Sequence, residues 1–190
     1  MTLLIIGVLL WAFAHLFPSL MPAPRASLIG KLGESAYKGV FALNIVIAIL
    51  LIVFGWRSVE IEFWYNPPLA GAPQVTSLLV LIAFVLIGAA NAPTNIKRFL
   101  RHPMLTGVVV WGVAHLLVNG DNRSVVLFGG LSIWAVIAMF TINSRDGGWT
   151  KPDHVPFTKD IKLVVTGSIV FAVVVYFHEY LAGVAAIPGI

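Results

Sequence analysis

The sequence predicts an all-α integral membrane protein, a single domain over residues 1–190 built from about six transmembrane helices in one bundle. Three observations lead there. Of the 190 residues, 59% are hydrophobic and only 11% charged, with a mean hydropathy of +0.95. Soluble domains carry about a quarter charged residues. Long runs free of charge recur, each close to the roughly 20 apolar residues that a bilayer-crossing helix needs. The polar segments between those runs are too short for a sizeable soluble domain. The chain has no cysteine. That excludes disulfides, zinc thiolates, iron–sulfur clusters and thiol catalysis, and leaves His, Met and carboxylates as metal ligands.

The first run extends from about Thr2 to Met21, with no charge before Arg25. It lacks the basic leader and clean cleavage site of a signal peptide and reads as a retained helix. It is short unless Phe17-Pro18-Ser19 stays helical. The second span covers Lys38 to Trp56, followed by Glu60, Glu62 and an Asn66-Pro67-Pro68 turn. The third runs from Val75 to Ala90. A basic connector, Asn95 to His102, leads to Pro103, a residue suited to the first turn of a helix. The fourth span reaches Val118. Asn119-Gly120-Asp121-Asn122 forms a turn, and the fifth span covers Ser124 to Asn143. A Gly- and Pro-containing loop carries Arg145, Lys151, Asp153, His154 and Lys159. The sixth span is Ile161 to Tyr180, before an apolar tail ending Pro188-Gly189-Ile190.

Charge orients these spans. Loops after the first, third and fifth hold Arg25, Lys31, Lys97, Arg98, Arg101, Arg145, Lys151 and Lys159; the opposite loops hold only Arg57 and Arg123, beside acidic residues. Positive-inside bias places the first set in the cytoplasm and both termini outside. The net charge of +4 is therefore loop charge rather than a nucleic-acid footprint.

Two segments read almost alike: Trp11-Ala12-Phe13-Ala14-His15-Leu16 and Trp111-Gly112-Val113-Ala114-His115-Leu116. Each sets a histidine in an uncharged run, one helical turn after a tryptophan. Ionisable groups inside hydrocarbon are costly and mark functional sites. Small neighbours such as Ala14, Gly112 and Ala114 admit a flat ligand to the helix backbone, and a metal-bearing macrocycle such as haem fits. The two helices are antiparallel. Each histidine lies roughly 19 Å along its helix at 1.5 Å per residue, so in a core about 30 Å thick their depths differ by about 8 Å. Two three-helix halves of opposite topology would explain such a pair as an inverted repeat, but the similarity does not extend beyond the six-residue motif. Other roles stay open. A membrane histidine also serves by hydrogen-bonding a neighbouring helix, and Trp11 and Trp111 are also suited to interfacial anchoring. His178, beside Glu179, is a third candidate ligand, a partner for His115, or an interfacial residue. His154 reads as solvated, and Met104 is too far from His115 to share one iron with it.

Arg98, Arg101 and His102 cluster at the cytoplasmic start of the fourth span. Such a cluster anchors the helix to lipid phosphates. A helix start with guanidinium groups also binds anions, haem propionates or the carboxylate or phosphate of a nucleotide-like cofactor among them. Arg145 and Arg25 face the same side.

The run Arg101-His102-Pro103-Met104-Leu105-Thr106-Gly107, then Trp111 to Leu116 and Asn119-Gly120-Asp121, resembles the NnrU family of bacterial membrane proteins. Ala14-His15-Leu16 with Pro18-Ser19, and Arg145-Asp146 after the fifth span, agree. The resemblance covers essentially the whole chain and implies a multi-pass protein of the bacterial inner membrane, both termini periplasmic. The family includes the plant and cyanobacterial 15-cis-zeta-carotene isomerases, in which histidines hold b-type haem. By that resemblance His15 and His115 are the iron ligands. Plant isomerases carry a cysteine, linked to ligand exchange, three residues before the second ligand; Gly112 stands there in this chain, so a thiolate swap is impossible. NnrU proteins are named for their association with nitrite and nitric oxide reduction genes. Arg101-His102-Pro103 also resembles the cofactor region of membrane methyltransferases, without their Glu-rich downstream motif.

Three functions follow as expectations. The first is a haem b protein ligated by His15 and His115. Trp11, Trp111 and Gly112 would frame the cofactor, with Arg98, Arg101, His102 and Arg145 on its propionates. It would act in redox chemistry, in redox-linked cis–trans isomerisation, or in nitric oxide and denitrification metabolism. The second is an S-adenosylmethionine-dependent methyltransferase, and the third a non-enzymatic assembly or scaffold protein. The expected partners are the lipid bilayer and a hydrophobic substrate or redox partner, without nucleic acid.

Overall fold

A computed structural model of the chain describes residues 1–69 and 73–186. The Pro188-Gly189-Ile190 tail lies outside them. The described residues are helical: α1 (Thr2–Leu20), α2 (Pro22–Leu32), α3 (Glu34–Ser58), α4 (Pro73–Ala89), α5 (Pro103–Leu116), α6 (Asn122–Ser124), α7 (Gly130–Asp146) and α8 (Phe157–Ala182). A 3₁₀ turn covers Asn95–Arg98, and a π turn, Val125–Gly129, joins α6 to α7. Among the described residues four helices are long and apolar enough to cross a membrane: α1, α3, the continuous Asn122–Asp146 helix and α8. The remaining two apolar helices, α4 and α5, have 17 and 14 residues. Six apolar helices match the expected runs, but only four reach spanning length. Large apolar side chains point outward along them, with Leu9, Leu43, Phe54, Ile133 and Ile169 each about 60% exposed. Such faces suit lipid rather than water.

The chain divides into two compact units, Met1–Tyr65 with Gly120–Gly148, and Asn66–Asn119 with Trp149 onward. This is not the division into sequential halves that an inverted repeat implies.

In the first unit, α1 packs on α3 and on α7. Small residues set the approach of α1 to α3. A Cβ added to Gly7 would lie 2.8 Å from the Ile52 backbone nitrogen; one on Gly55 would lie 2.7 Å from the Leu4 Cα. In lipid, where burial between helices gains little, such backbone proximity supplies the packing. On the other side Ser19 Oγ meets Thr141 Oγ1 at 3.1 Å. Pro18 stays inside α1, which gives that helix its full 19 residues. Lacking an N–H, Pro18 leaves the Ala14 carbonyl without its helical donor.

The segment after α1, expected as loop, is α2. Pro22 starts it, where a missing N–H costs nothing. It buries no residue and carries Arg25 and Lys31. Gly33, at φ 80°, then turns the chain into α3, a backbone conformation that favours glycine.

The loop after α3 is pinned to the start of α6. Trp64 N and Tyr65 N donate to the Gly120 carbonyl at 2.8 and 3.2 Å, and Asn122 N and Nδ2 donate to Glu62 and Glu60 carbonyls. Asp121 caps α6 through Ser124 N, at 3.0 Å, and accepts from Ser124 Oγ at 2.6 Å. Arg123 lies over the Trp56 ring at 4.4 Å and 3.5 Å from Asp121. Burial raises the pKa of the Tyr65 phenol, and the Asp121 carboxylate adds to the shift.

In the second unit α4 packs against both α5 and α8. Gly107 sits on Ala83 and Ile87, and Gly167 on Val85. The segment after α4 is tied to the foot of α8. Asp160 accepts from Thr94 Oγ1, from Asn95 N at 2.9 Å and from Asn95 Nδ2 at 2.6 Å. Asn95 also pairs with the Val155 backbone in both directions.

Candidate functional site

His15 lies on α1 with its Nδ1 2.9 Å from the Trp11 carbonyl oxygen. A carbonyl only accepts, so the bond places the proton on Nδ1 and the coordinating lone pair on Nε2. Three rings surround the imidazole. Trp11 lies 4.3 Å away and tilted by 32°; Trp134 and Phe41 approach edge-on at 5.2 and 5.5 Å. Trp134 is only 8% exposed. The indole N–H groups of Trp11 and Trp134 are buried without hydrogen-bond partners. A buried orphan donor costs about 1–3 kcal/mol, and a ligand bearing acceptor atoms would remove that cost.

His115 on α5 repeats the arrangement. Its Nδ1 is 2.8 Å from the Trp111 carbonyl, which selects the same tautomer, and the Trp111 ring lies 5.0 Å away. Gly112 and Ala114, on the same helix, are buried. Asn119 folds back on the His115 carbonyl, from N at 2.8 Å and Nδ2 at 3.0 Å. His178 lies on α8 in the same unit. Its own Nδ1 is 2.7 Å from the Val184 carbonyl. His15 belongs to the first compact unit; His115 and His178 belong to the second.

Sequence reasoning missed Trp134 and Phe41. They come from α7 and α3, and nothing in their local pattern marks them as neighbours of His15. Among the described residues no three His, Asp or Glu side chains gather to hold a metal ion. A haem iron asks less of a protein, because its macrocycle supplies four nitrogens and only two axial ligands remain.

The basic residues separate. Lys97, Arg101 and His102 line one cavity of about 260 Å³ at the start of α5, facing Trp149 and Pro152. Arg98 is not on its wall, and its Nε is buried without a hydrogen bond. Arg145 lies in the other unit. It is forked onto Asp146, Nε to Oδ1 at 2.6 Å and a second guanidinium nitrogen to Oδ2 at 3.1 Å. A second cavity, about 290 Å³ and largely apolar, lies between α1, α2 and α3. Phe41 lines it and also touches His15.

Comparison with known families decides the kinship. A family profile described as NnrU protein matches residues 3–186, both Trp-His segments included. The chain belongs to the NnrU family. No curated protein and no solved structure matches it. In this NnrU chain the family match takes in both hydrogen-bonded histidines and the Arg101-His102-Pro103 start of α5.

Proposed function

We propose that this NnrU-family protein binds haem b in the membrane, with His15 and His115 as its axial ligands. One observation carries the reading. Both imidazoles hydrogen-bond through Nδ1 to the carbonyl four residues earlier, a bond that orients a metal-ligating histidine and leaves Nε2 to the metal. The orphaned Trp11 and Trp134 N–H groups and the ring clasp about His15 also fit a bound aromatic cofactor.

When bound, the haem supplies a one-electron redox couple. The chain's own part is to hold and orient. Trp11, Phe41 and Trp134 fix the plane of the His15 ring, and the two carbonyl bonds fix which nitrogen faces the iron. Held by His15 and His115 together, the haem would supply electron transfer or redox sensing. Cis–trans isomerisation, or chemistry on nitrogen oxides, would require one imidazole to leave. His178 would be the other candidate, as a partner for His115 or as a substitute ligand.

In this reading α4 and α5 also enter the bilayer, completing six membrane helices. The basic loops lie in the cytoplasm and both termini in the periplasm, with the protein in the bacterial inner membrane. The test is a pyridine haemochrome spectrum with iron per protein, on protein purified after haem supply. A b-type spectrum is expected, with ligation altered in His15→Ala and in His115→Ala and unaltered in His154→Ala. Colourless protein after haem supply would overturn the reading.

A further inference from the structure

We propose that the cavity at the start of α5 is a phosphate site, which takes the phosphate of an amphiphilic ligand on Lys97, Arg101 and His102. Separate segments converge on it: Ala90 just after α4, the 3₁₀ turn, Arg101 and His102 with the first turn of α5, and the loop holding Trp149 and Pro152. Three of its lining side chains are basic and none is acidic. Lys97 is half-buried, and among the described residues no hydrogen bond or ion pair accounts for its ammonium. Cations crowded at a partly desolvated wall repel one another, and an anion among them turns that repulsion into attraction.

The frame is fixed rather than adaptable. Thr94, 3% exposed, and Asn95 tie the turn that bears Lys97 to Asp160. Asn95 also holds Val155, three residues beyond Pro152 in the opposite wall. Positive-inside anchoring alone would place lysine and arginine at this level, but it gives no reason for them to share one cavity of about 260 Å³ with Trp149 and Pro152. Lys97 and Arg101 bring permanent positive charge to the cavity and His102 a ring nitrogen, a set that suits a phosphate group. Met104, Leu105 and Trp149 supply apolar wall for whatever the phosphate is attached to. The source is either a phospholipid headgroup of the cytoplasmic leaflet or a soluble phosphate ester. Thirteen residues of chain separate His102 from His115, about 20 Å at helical rise, so this site does not rest on the haem reading.

The experiment uses the full chain in detergent. Inorganic phosphate and pyrophosphate are titrated by calorimetry, and native mass spectrometry measures retention of phosphatidylglycerol against phosphatidylcholine from a mixed micelle. Saturable phosphate binding, weakened about tenfold or more by Lys97→Gln and Arg101→Gln, supports a soluble source. Selective retention of phosphatidylglycerol that both variants lose, without binding of free phosphate, supports a lipid source. Lys97→Gln keeps the test decisive if Arg101→Gln fails to fold. Neither ligand binding, or binding unchanged in Lys97→Gln, overturns the proposal. Loss of haem from folded Arg101→Gln, together with no phosphate binding, also overturns it, and would assign the cavity to propionates. Failure of the haem reading leaves both titrations unaffected.

Discussion

Gly55→Ala tests whether α1 and α3 are held together by backbone proximity. The added Cβ would sit 2.7 Å from the Leu4 Cα and 2.9 Å from its Cβ, and would overlap the Leu4 backbone nitrogen, where ordinary contact begins at 3.4 Å. The obstacles are mainly backbone, so no rotamer change relieves them. α1 must retreat by at least about 0.7 Å, and a gap of that size forfeits a quarter to a half of the dispersion energy along the seam. Leu4, fully buried there, loses most. Overpacking of this kind costs about 1–3 kcal/mol. Gly39→Ala is the matched control, the same change on the same helix with nothing within 4 Å. There, helix propensity alone should stabilise by up to about 1 kcal/mol. That gain is common to both variants and cancels, so they should differ by about 1–3 kcal/mol, read as denaturant-induced unfolding of the detergent-solubilised protein or by steric trapping. Stabilities equal within about 0.5 kcal/mol would refute close packing at Gly55.

Trp134→Phe keeps a ring beside His15 and removes a buried unpaired N–H, whose relief of about 1–3 kcal/mol offsets the smaller ring. Thermal stability should change little, while Trp134→Ala should lose about 3–5 kcal/mol. If haem is bound as proposed, Trp134→Ala should also shift the low-spin electron paramagnetic resonance signal by freeing the His15 plane. Asp121→Ala removes the cap of α6 and should cost about 1–2 kcal/mol; limited proteolysis should then cut between Glu60 and Tyr65, where the wild type resists. Asp160→Ala takes the acceptor from Thr94 and Asn95, and hydrogen exchange should rise across residues 94–98 and 155–160 while α1 and α3 stay protected.

Much of the fold was legible because hydrocarbon permits few alternatives. Uncharged runs of the right length become helices, and all six expected runs do. Pro22 and Pro24 made the α2 segment read as loop, yet prolines in a first turn lack only N–H groups that have no helical partner anyway. Pro18, by contrast, was expected within the first span, and it stays helical because a single missing bond does not stop a helix. In the repeated motif, the tryptophan's turn-earlier spacing was visible, but the bond uses its carbonyl as well as placing its ring. Trp134 and Phe41 were invisible because their proximity to His15 is set by how α7 and α3 pack on α1. Arg145 was read with Arg101 on charge alone, and its pairing with Asp146 was not foreseen. The division into units escaped notice because it depends on the loop after α3 pairing with residues near Gly120, more than fifty positions later.

The π turn at Val125–Gly129 says where this chain can change length. A π turn holds one residue more than the α turn it replaces, so the surplus is absorbed there and both flanks keep their facing. Deleting one residue inside it would restore plain α-helix, with Asp121 still clasping the loop and Trp134 still against His15. The same deletion between Gly130 and Trp134 would rotate one flank by about 100° against the other and break one of those two attachments. Insertions and deletions in this helix should therefore be tolerated at those five positions and selected against on either side.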